Sequence, residues 1–193
     1  MSKAQPFLDL IRSRRSIGLV KSDPVSRDLI EKILEAGTWA PTHHMTEPWR
    51  FIGIAGEARK KMGEVMADIL WERLPDPETD EAKAQLERER QKALRAPVII
   101  AVAVSPSPKP EIVEIEEIEA GMAAVQNMLL AAHALDIGAM LRTGKPAYHE
   151  KMKTFLGLAP RDHIIGFIYV GYPDMPPRKG LRTGWEKKTV WLE

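Results

Sequence analysis

Val98-Ile99-Ile100-Ala101-Val102-Ala103-Val104 is an unbroken apolar run, mostly β-branched, between Pro97 and Ser105-Pro106. A strand with one wet face alternates apolar and polar residues, whereas a continuous run needs cover on both faces. The chain must therefore place helices above and below this strand, and the strand must lie at the centre of its sheet.

Helical periodicity supplies the two layers. Phe7, Leu8, Leu10 and Ile11 have helical spacing near the start. A second helix is bounded by Ser22 or Asp23 as cap, Pro24 in the first turn and Gly37 at the end, with Leu29, Ile30, Ile33 and Leu34 as its stripe. Trp49 to Ala55 reads as a strand with Trp49 in the core, and Glu57 to Trp71 as a helix stopped by Leu74-Pro75-Asp76-Pro77. Thr79 to Leu94 reads as an exposed, charged helix whose ion pairs are each worth about 0.2–0.5 kcal/mol. The longest helix spans Ile112 to Leu135, with Ile115, Ile118, Met122, Val125, Met128, Leu129 and Ala132 as an apolar band. Small residues at Ala120, Gly121, Ala123 and Ala124 suit it to an interior spine or a dimer seam. Gly138 to Leu141 and Ile164 to Val170 are two further strands, with a helix over Tyr148 to Leu156 between them. Strands interspersed with helices in this way define an α+β chain, a mixed sheet sandwiched by helices.

A chain of 193 residues fits a single domain, 1–193, or one subunit of an interwoven dimer. Residues 174–193 are rich in Pro, Arg, Lys and Trp, yet Thr189-Val190-Trp191-Leu192 has the pattern of an edge strand. A tail cut off from its own core by prolines is expected to pack on a partner subunit. The net charge of +1 gives no general field for nucleic acid or acidic membranes, so basic residues must act locally. No run approaches the roughly 18 apolar residues of a membrane span, and the start lacks a leader pattern. A cytoplasmic protein without nucleic-acid or membrane partners is expected. The absence of cysteine excludes disulfides, thiolate metal sites, iron–sulfur clusters and a Cys nucleophile. His133, His149 and His163 lack metal-ligand spacing, so no metal site is expected either. Any redox chemistry must be borrowed from a cofactor.

Two segments carry the chemistry. Arg12-Ser13-Arg14-Arg15-Ser16 sets three guanidinium groups and two hydroxyls at a helix exit, a composition suited to a phosphate. Ala40-Pro41-Thr42-His43-His44-Met45-Thr46-Glu47-Pro48-Trp49 is a Pro-bounded loop with two imidazoles leading into a strand. Gly138 to Lys145 does not make a Walker-type phosphate loop, because its glycines are too far apart and Pro146 stands where Ser or Thr is needed.

The order of these segments resembles the nitroreductase family of flavin enzymes. The likeness continues through Leu94-Arg95-Ala96-Pro97, Glu119-Ala120-Gly121-Met122, Gly138-Ala139-Met140-Leu141-Arg142-Thr143-Gly144 and Ile165-Gly166-Phe167-Ile168-Tyr169-Val170-Gly171-Tyr172-Pro173. It spans nearly the whole chain and is closest to the small, compact branch of NAD(P)H nitroreductases. The resemblance implies a homodimer with FMN at the subunit interface, contacted by both chains. It implies NADH or NADPH as electron donor and a small electron-poor molecule, such as a nitroaromatic or quinone, as acceptor in a ping-pong cycle. No side chain is expected to act as acid or base, because the flavin N5 carries the chemistry.

By the same resemblance, Arg14, Arg15 and Ser16 hold the FMN phosphate, ribityl chain and pyrimidine edge. Trp39, His43 and Glu47 occupy positions that reach the flavin from the partner subunit. Glu47 departs from the family's amide before Pro-Trp, and when ionised it can only accept hydrogen bonds. Leu141, Arg142 and Thr143 match the segment along N5 and O4. Arg182, in Arg182-Thr183-Gly184-Trp185-Glu186, matches an arginine that returns to the phosphate, with Gly184 in place of a proline and Lys179 as its substitute. Two alternatives stay open: a flavin-binding or structural dimer without turnover, given Trp39 and Glu47 at ring-facing positions, and a related flavin reaction such as reductive dehalogenation.

Overall fold

The computed structural model describes residues 4–193. Four strands, β1 (Trp49–Ala55), β2 (Val98–Val104), β3 (Gly138–Arg142) and β4 (His163–Gly171), form one sheet in the order β1-β2-β4-β3. The α+β sandwich expected from the sequence forms, and the sheet expected as mixed pairs antiparallel at each of its three interfaces. The apolar run of β2 lies inside, bonded to β1 on one side and β4 on the other, with Ile99 to Val104 fully buried. A register shift between Val102 and Ala103 bends the β2–β4 pair.

Six α-helices cover the sheet: α1 (Ala4–Ser13), α2 (Arg27–Thr38), α3 (Glu57–Trp71), α4 (Asp80–Lys92), α5 (Glu114–Ala134) and α6 (Glu150–Phe155). One face is closed by α3 and α6 through Met62, Met66, Ile69 and Met152 against Ile99, Ala101 and Phe167, with α4 packed on α3. The other is closed by α2 and α5 through Ile33, Val125, Met128 and Ala132 against Ile100, Val102 and Ile168. Gly37 lies in the last turn of α2, where an added Cβ would come within 2.9 Å of Met128 and 3.0 Å of Phe51. That close approach lets α2 sit on both α5 and β1.

Several boundaries and faces differ from expectation. The cap of α2 is Ser26, whose hydroxyl accepts from the Leu29 amide at 3.4 Å; Ser22, Asp23 and Pro24 precede the helix. The helix expected over Tyr148 to Leu156 divides into a 3-10 turn, Lys145–Tyr148, and α6, because His149 adopts an extended backbone and caps the latter. Trp49 is half-buried rather than core. The charged α4 buries Ala82 and Leu86 against α3. In α5, Ile115 and Met122 point outward, while Glu117 is fully buried. Thr189 to Leu192 makes no strand pairing among the described residues and is exposed.

Candidate functional site

The Arg/Ser segment leaves α1 at Ser13, and its backbone turns to run along the free edge of β3, where the Ile17 amide donates to Ala139 O at 3.1 Å. The tail returns beside it. Arg15 donates from Nε to Arg178 O at 2.9 Å and from Nη1 to the carbonyls of Arg12 (2.7 Å) and Arg14 (2.8 Å). Gly180 packs so closely on the Arg15 guanidinium that a Cβ there would overlap it.

Ile11, Arg12, Arg14, Arg15, Gly180 and Arg182 line a cleft of about 360 Å³ that contains no carboxylate in its lining. Arg12 alone among these arginines has an acidic partner, Asp9, at 3.4 Å. The Arg14 guanidinium is held below its ordinary pKa, first by burial and then by repulsion from Arg182 and Arg15. Arg14, Arg15 and Arg182 repel one another and are relieved by an anion, most effectively one accepting several forked hydrogen bonds. The residues present therefore fit a phosphate. Ser16 is exposed beside the cleft and does not line it. Lys179 is likewise outside the lining, and Arg182 is inside it.

Arg142 and Thr143 belong to a second cavity of about 310 Å³ at the end of β3, floored by Met66, Ile69, Phe167 and Tyr169 and rimmed by Lys92, Arg95 and Lys145. The Arg142 guanidinium carbon lies 5.3 Å from the Tyr169 ring centroid, and its Nε is buried without a hydrogen bond among the described residues. Burial lifts the Tyr169 hydroxyl above its usual pKa, with Arg142 acting in the opposite sense. The orphaned guanidinium N–H calls for an acceptor, since a buried unsatisfied donor costs about 1–3 kcal/mol. Gly18 packs against β3: a Cβ there would lie 3.2 Å from Met140 Sδ and 3.6 Å from Arg142 Nη2.

Trp39, His43 and Glu47 lie apart from the arginines, on the loop between α2 and β1. Trp39 is 79% exposed, and both His43 and Glu47 are exposed. His43 lines an open cleft with Pro41, Thr42, Glu116, Glu119 and Ala123, its Nε2 3.2 Å from Glu116 Oε2. His44, Met45 and Glu47 have left-handed backbones, with φ of 48°, 53° and 45°. For residues with a Cβ that conformation costs roughly 1–2 kcal/mol each, so surrounding bonds must fix it. A single chain thus brings Arg14, Arg15 and Arg182 together and sets Leu141, Arg142 and Thr143 at the adjoining strand end. It leaves Trp39, His43 and Glu47 facing outward.

Sequence reasoning did not assign Arg12, Gly180 or Glu117 to the site. Arg12 was visible in the same basic run. Gly180 and Glu117 depend on contacts between segments far apart in the chain, which leave no local signal. Among the described residues no cluster of His, Asp and Glu is arranged to hold a metal, and no helix is long and apolar enough to cross a membrane.

The chain is an α+β sandwich with an arginine-lined cleft where the segment after α1 meets the segment around Gly180. The sequence model of the Nitroreductase family matches residues 11–172. The chain belongs to the nitroreductase family. It is 31% identical over 175 residues to the protein named "Putative NAD(P)H nitroreductase YfhC" from Bacillus subtilis, covering 91% of this chain and 88% of that protein. The crystal structure of a nitroreductase-like family protein from Bacillus cereus superposes with a TM-score of 0.84 at 27% identity, covering 100% of this chain and 99% of that one. The structure described as a putative nitroreductase in complex with FMN, from Desulfovibrio desulfuricans, superposes with a TM-score of 0.74 at 29% identity, covering 99% of both chains.

Proposed function

We propose that this protein is an FMN-dependent NAD(P)H oxidoreductase that works as a homodimer and reduces nitroaromatics, quinones or similar electron-poor acceptors. The observation that carries the reading is the cleft lined by Arg12, Arg14, Arg15 and Arg182 with no carboxylate in its lining. The likeness to a protein solved with FMN supports the choice of cofactor, and the printed name of the Bacillus subtilis relative supports NAD(P)H as donor.

In this reading Arg14, Arg15 and Arg182 hold the phosphate, and Ser16 adds a hydroxyl at its edge. Arg142 supplies a fixed positive charge at the end of β3, favouring negative charge on the neighbouring ring system. The Leu141–Thr143 backbone lies along the reacting edge. FMN, when bound, supplies the two-electron chemistry between nicotinamide and acceptor. The donor and the acceptor would occupy one cleft in turn, and the protons taken up with the electrons would come from solvent, so no side chain has to supply one. Trp39, His43 and Glu47 complete the site of the other subunit, and residues 174–193 pack on that subunit through Leu181, Trp185, Val190, Trp191 and Leu192, all of them exposed in the single chain.

The test is anaerobic titration of the FMN-loaded protein with NADH and NADPH, followed by acceptor screening. Rapid bleaching of the flavin and its return on adding a nitroaromatic or quinone support the reading. Flavin that binds but is not bleached would leave a structural flavin dimer, and selective turnover of halogenated aromatics would leave reductive dehalogenation.

A further inference from the structure

Glu117 is fully buried in the first turns of α5, yet no cation neutralises it among its hydrogen-bonded partners. Both carboxylate oxygens are used. Thr46 Oγ1 donates to Oε1 at 2.5 Å, and the Ser107 amide donates to Oε2 at 3.2 Å. Thr46 in turn lies 3.2 Å from Thr42 Oγ1, which accepts from the Glu47 amide at 3.1 Å. A chain of bonds therefore runs from the interior of α5, through Thr46 and Thr42, to the backbone of Glu47. It spans the segment in which His44, Met45 and Glu47 hold left-handed conformations.

An exposed loop with three non-glycine residues at positive φ needs an anchor that outweighs its tendency to relax. A buried carboxyl group bonded at both oxygens, to a hydroxyl and to an amide, is such an anchor, because hydrogen bonds shielded from water are costly to break. A buried carboxylate that only filled space would be replaced by an apolar residue at lower cost. Glu116, one position earlier, has its Oε2 3.2 Å from His43 Nε2, so adjacent acidic residues approach both ends of the loop's short 3-10 turn.

We propose that Glu117 is a positioning residue that fixes the 42–47 loop in its left-handed form and so sets where His43 and Glu47 meet the flavin of the partner subunit. The inference rests on the flavin reading for its second half only. The first half, that Glu117 and Thr46 hold the loop, is a property of the apoprotein.

The experiment uses the full chain with Glu117→Gln, Thr46→Val and Thr46→Ser. Amide hydrogen exchange of the apoprotein is expected to quicken about tenfold or more at residues 43–47 in Glu117→Gln and Thr46→Val, while β2 and β4 stay protected as in wild type. Thr46→Ser, which keeps the donor, is expected to restore wild-type exchange. FMN affinity is expected to fall about tenfold in the first two variants and to recover in the third. Unchanged exchange at 43–47, or faster exchange only in step with the whole chain, overturns the proposal. Faster loop exchange with unchanged FMN affinity overturns its second half. Wild-type protein that fails to bind FMN at all overturns the flavin reading and that second half together, while the exchange result still decides the clamp.

Discussion

Arg15 and Arg178, separated by most of the chain, are joined by a 2.9 Å hydrogen bond from the Arg15 Nε to the Arg178 carbonyl. This bond fastens the tail beside the exit of α1 and brings Arg182 into the cleft of Arg12 and Arg14. The cleft is thus assembled from segments near both ends of the described chain, and no carboxylate stands in its lining.

Arg14→Ala and Arg182→Ala are expected to weaken FMN binding by about tenfold to a hundredfold each, the loss of a charge-assisted hydrogen bond of roughly 1.5–3 kcal/mol. Riboflavin, which lacks the phosphate, is expected to bind wild type and variants alike. Fluorescence titration with both ligands checks this. Equal losses for both flavins would place the phosphate elsewhere.

Much of this arrangement could be read from residue order, for identifiable reasons. The run from Val98 to Val104 reads as a strand covered on both faces, and β2 is paired on both edges and buried from Ile99 to Val104. The basic segment at the exit of α1 was legible because Arg12, Arg14 and Arg15 lie within one turn of chain. The phase of α5 was not, since Ile115 and Met122 are as apolar as Val125 and Met128, and only neighbours decide which face turns inward. The burial of Glu117 left no local signal, because the partners that make it tolerable, Thr46 and Ser107, come from two separate loops. The cap of α2 moved to Ser26 because Ser22, Asp23 and Ser26 are all competent caps, and only the path of the chain past Val20 selects among them.

Gly63 in α3 faces the backbone of α4, where an added Cβ would lie 2.6 Å from Arg90 O. Gly63→Ala is expected to push the two helices apart and destabilise the fold by about 1–3 kcal/mol, despite the better helix propensity of alanine. Urea unfolding measures this. A neutral or stabilised variant would contradict the α3–α4 packing.

Glu72 joins α3 to α6 through Lys151 at 2.6 Å and His149 at 3.1 Å. The Lys151 hydrogen bond is the main cause that holds its carboxyl below the ordinary range. A carboxylate lowered on folding stabilises above its unfolded value of about 4.3 and loses that contribution as pH falls through the lower folded value. Glu72→Gln is therefore expected to be less stable than wild type at neutral pH, with the difference shrinking in acid. Denaturant midpoints on both sides of that window provide the check, and a difference that grows in acid would have the wrong sign.

Trp185, Trp191 and Leu192 are 63%, 73% and 95% exposed in the single chain. If they seat on a partner, changing all three to Ala is expected to shift the protein from dimer to monomer in sedimentation, as interface tryptophans often each contribute about 2 kcal/mol. The unfolding of the single chain should barely change, because these residues bury little within it. An unaltered dimer would place the tail outside the interface.

The most direct measurement is size-exclusion chromatography of the FMN-supplemented protein with flavin absorbance recorded across the peak, followed by anaerobic NAD(P)H. The account predicts a yellow dimer with one FMN per chain that bleaches on adding the nucleotide. A colourless monomer that excludes FMN would contradict it.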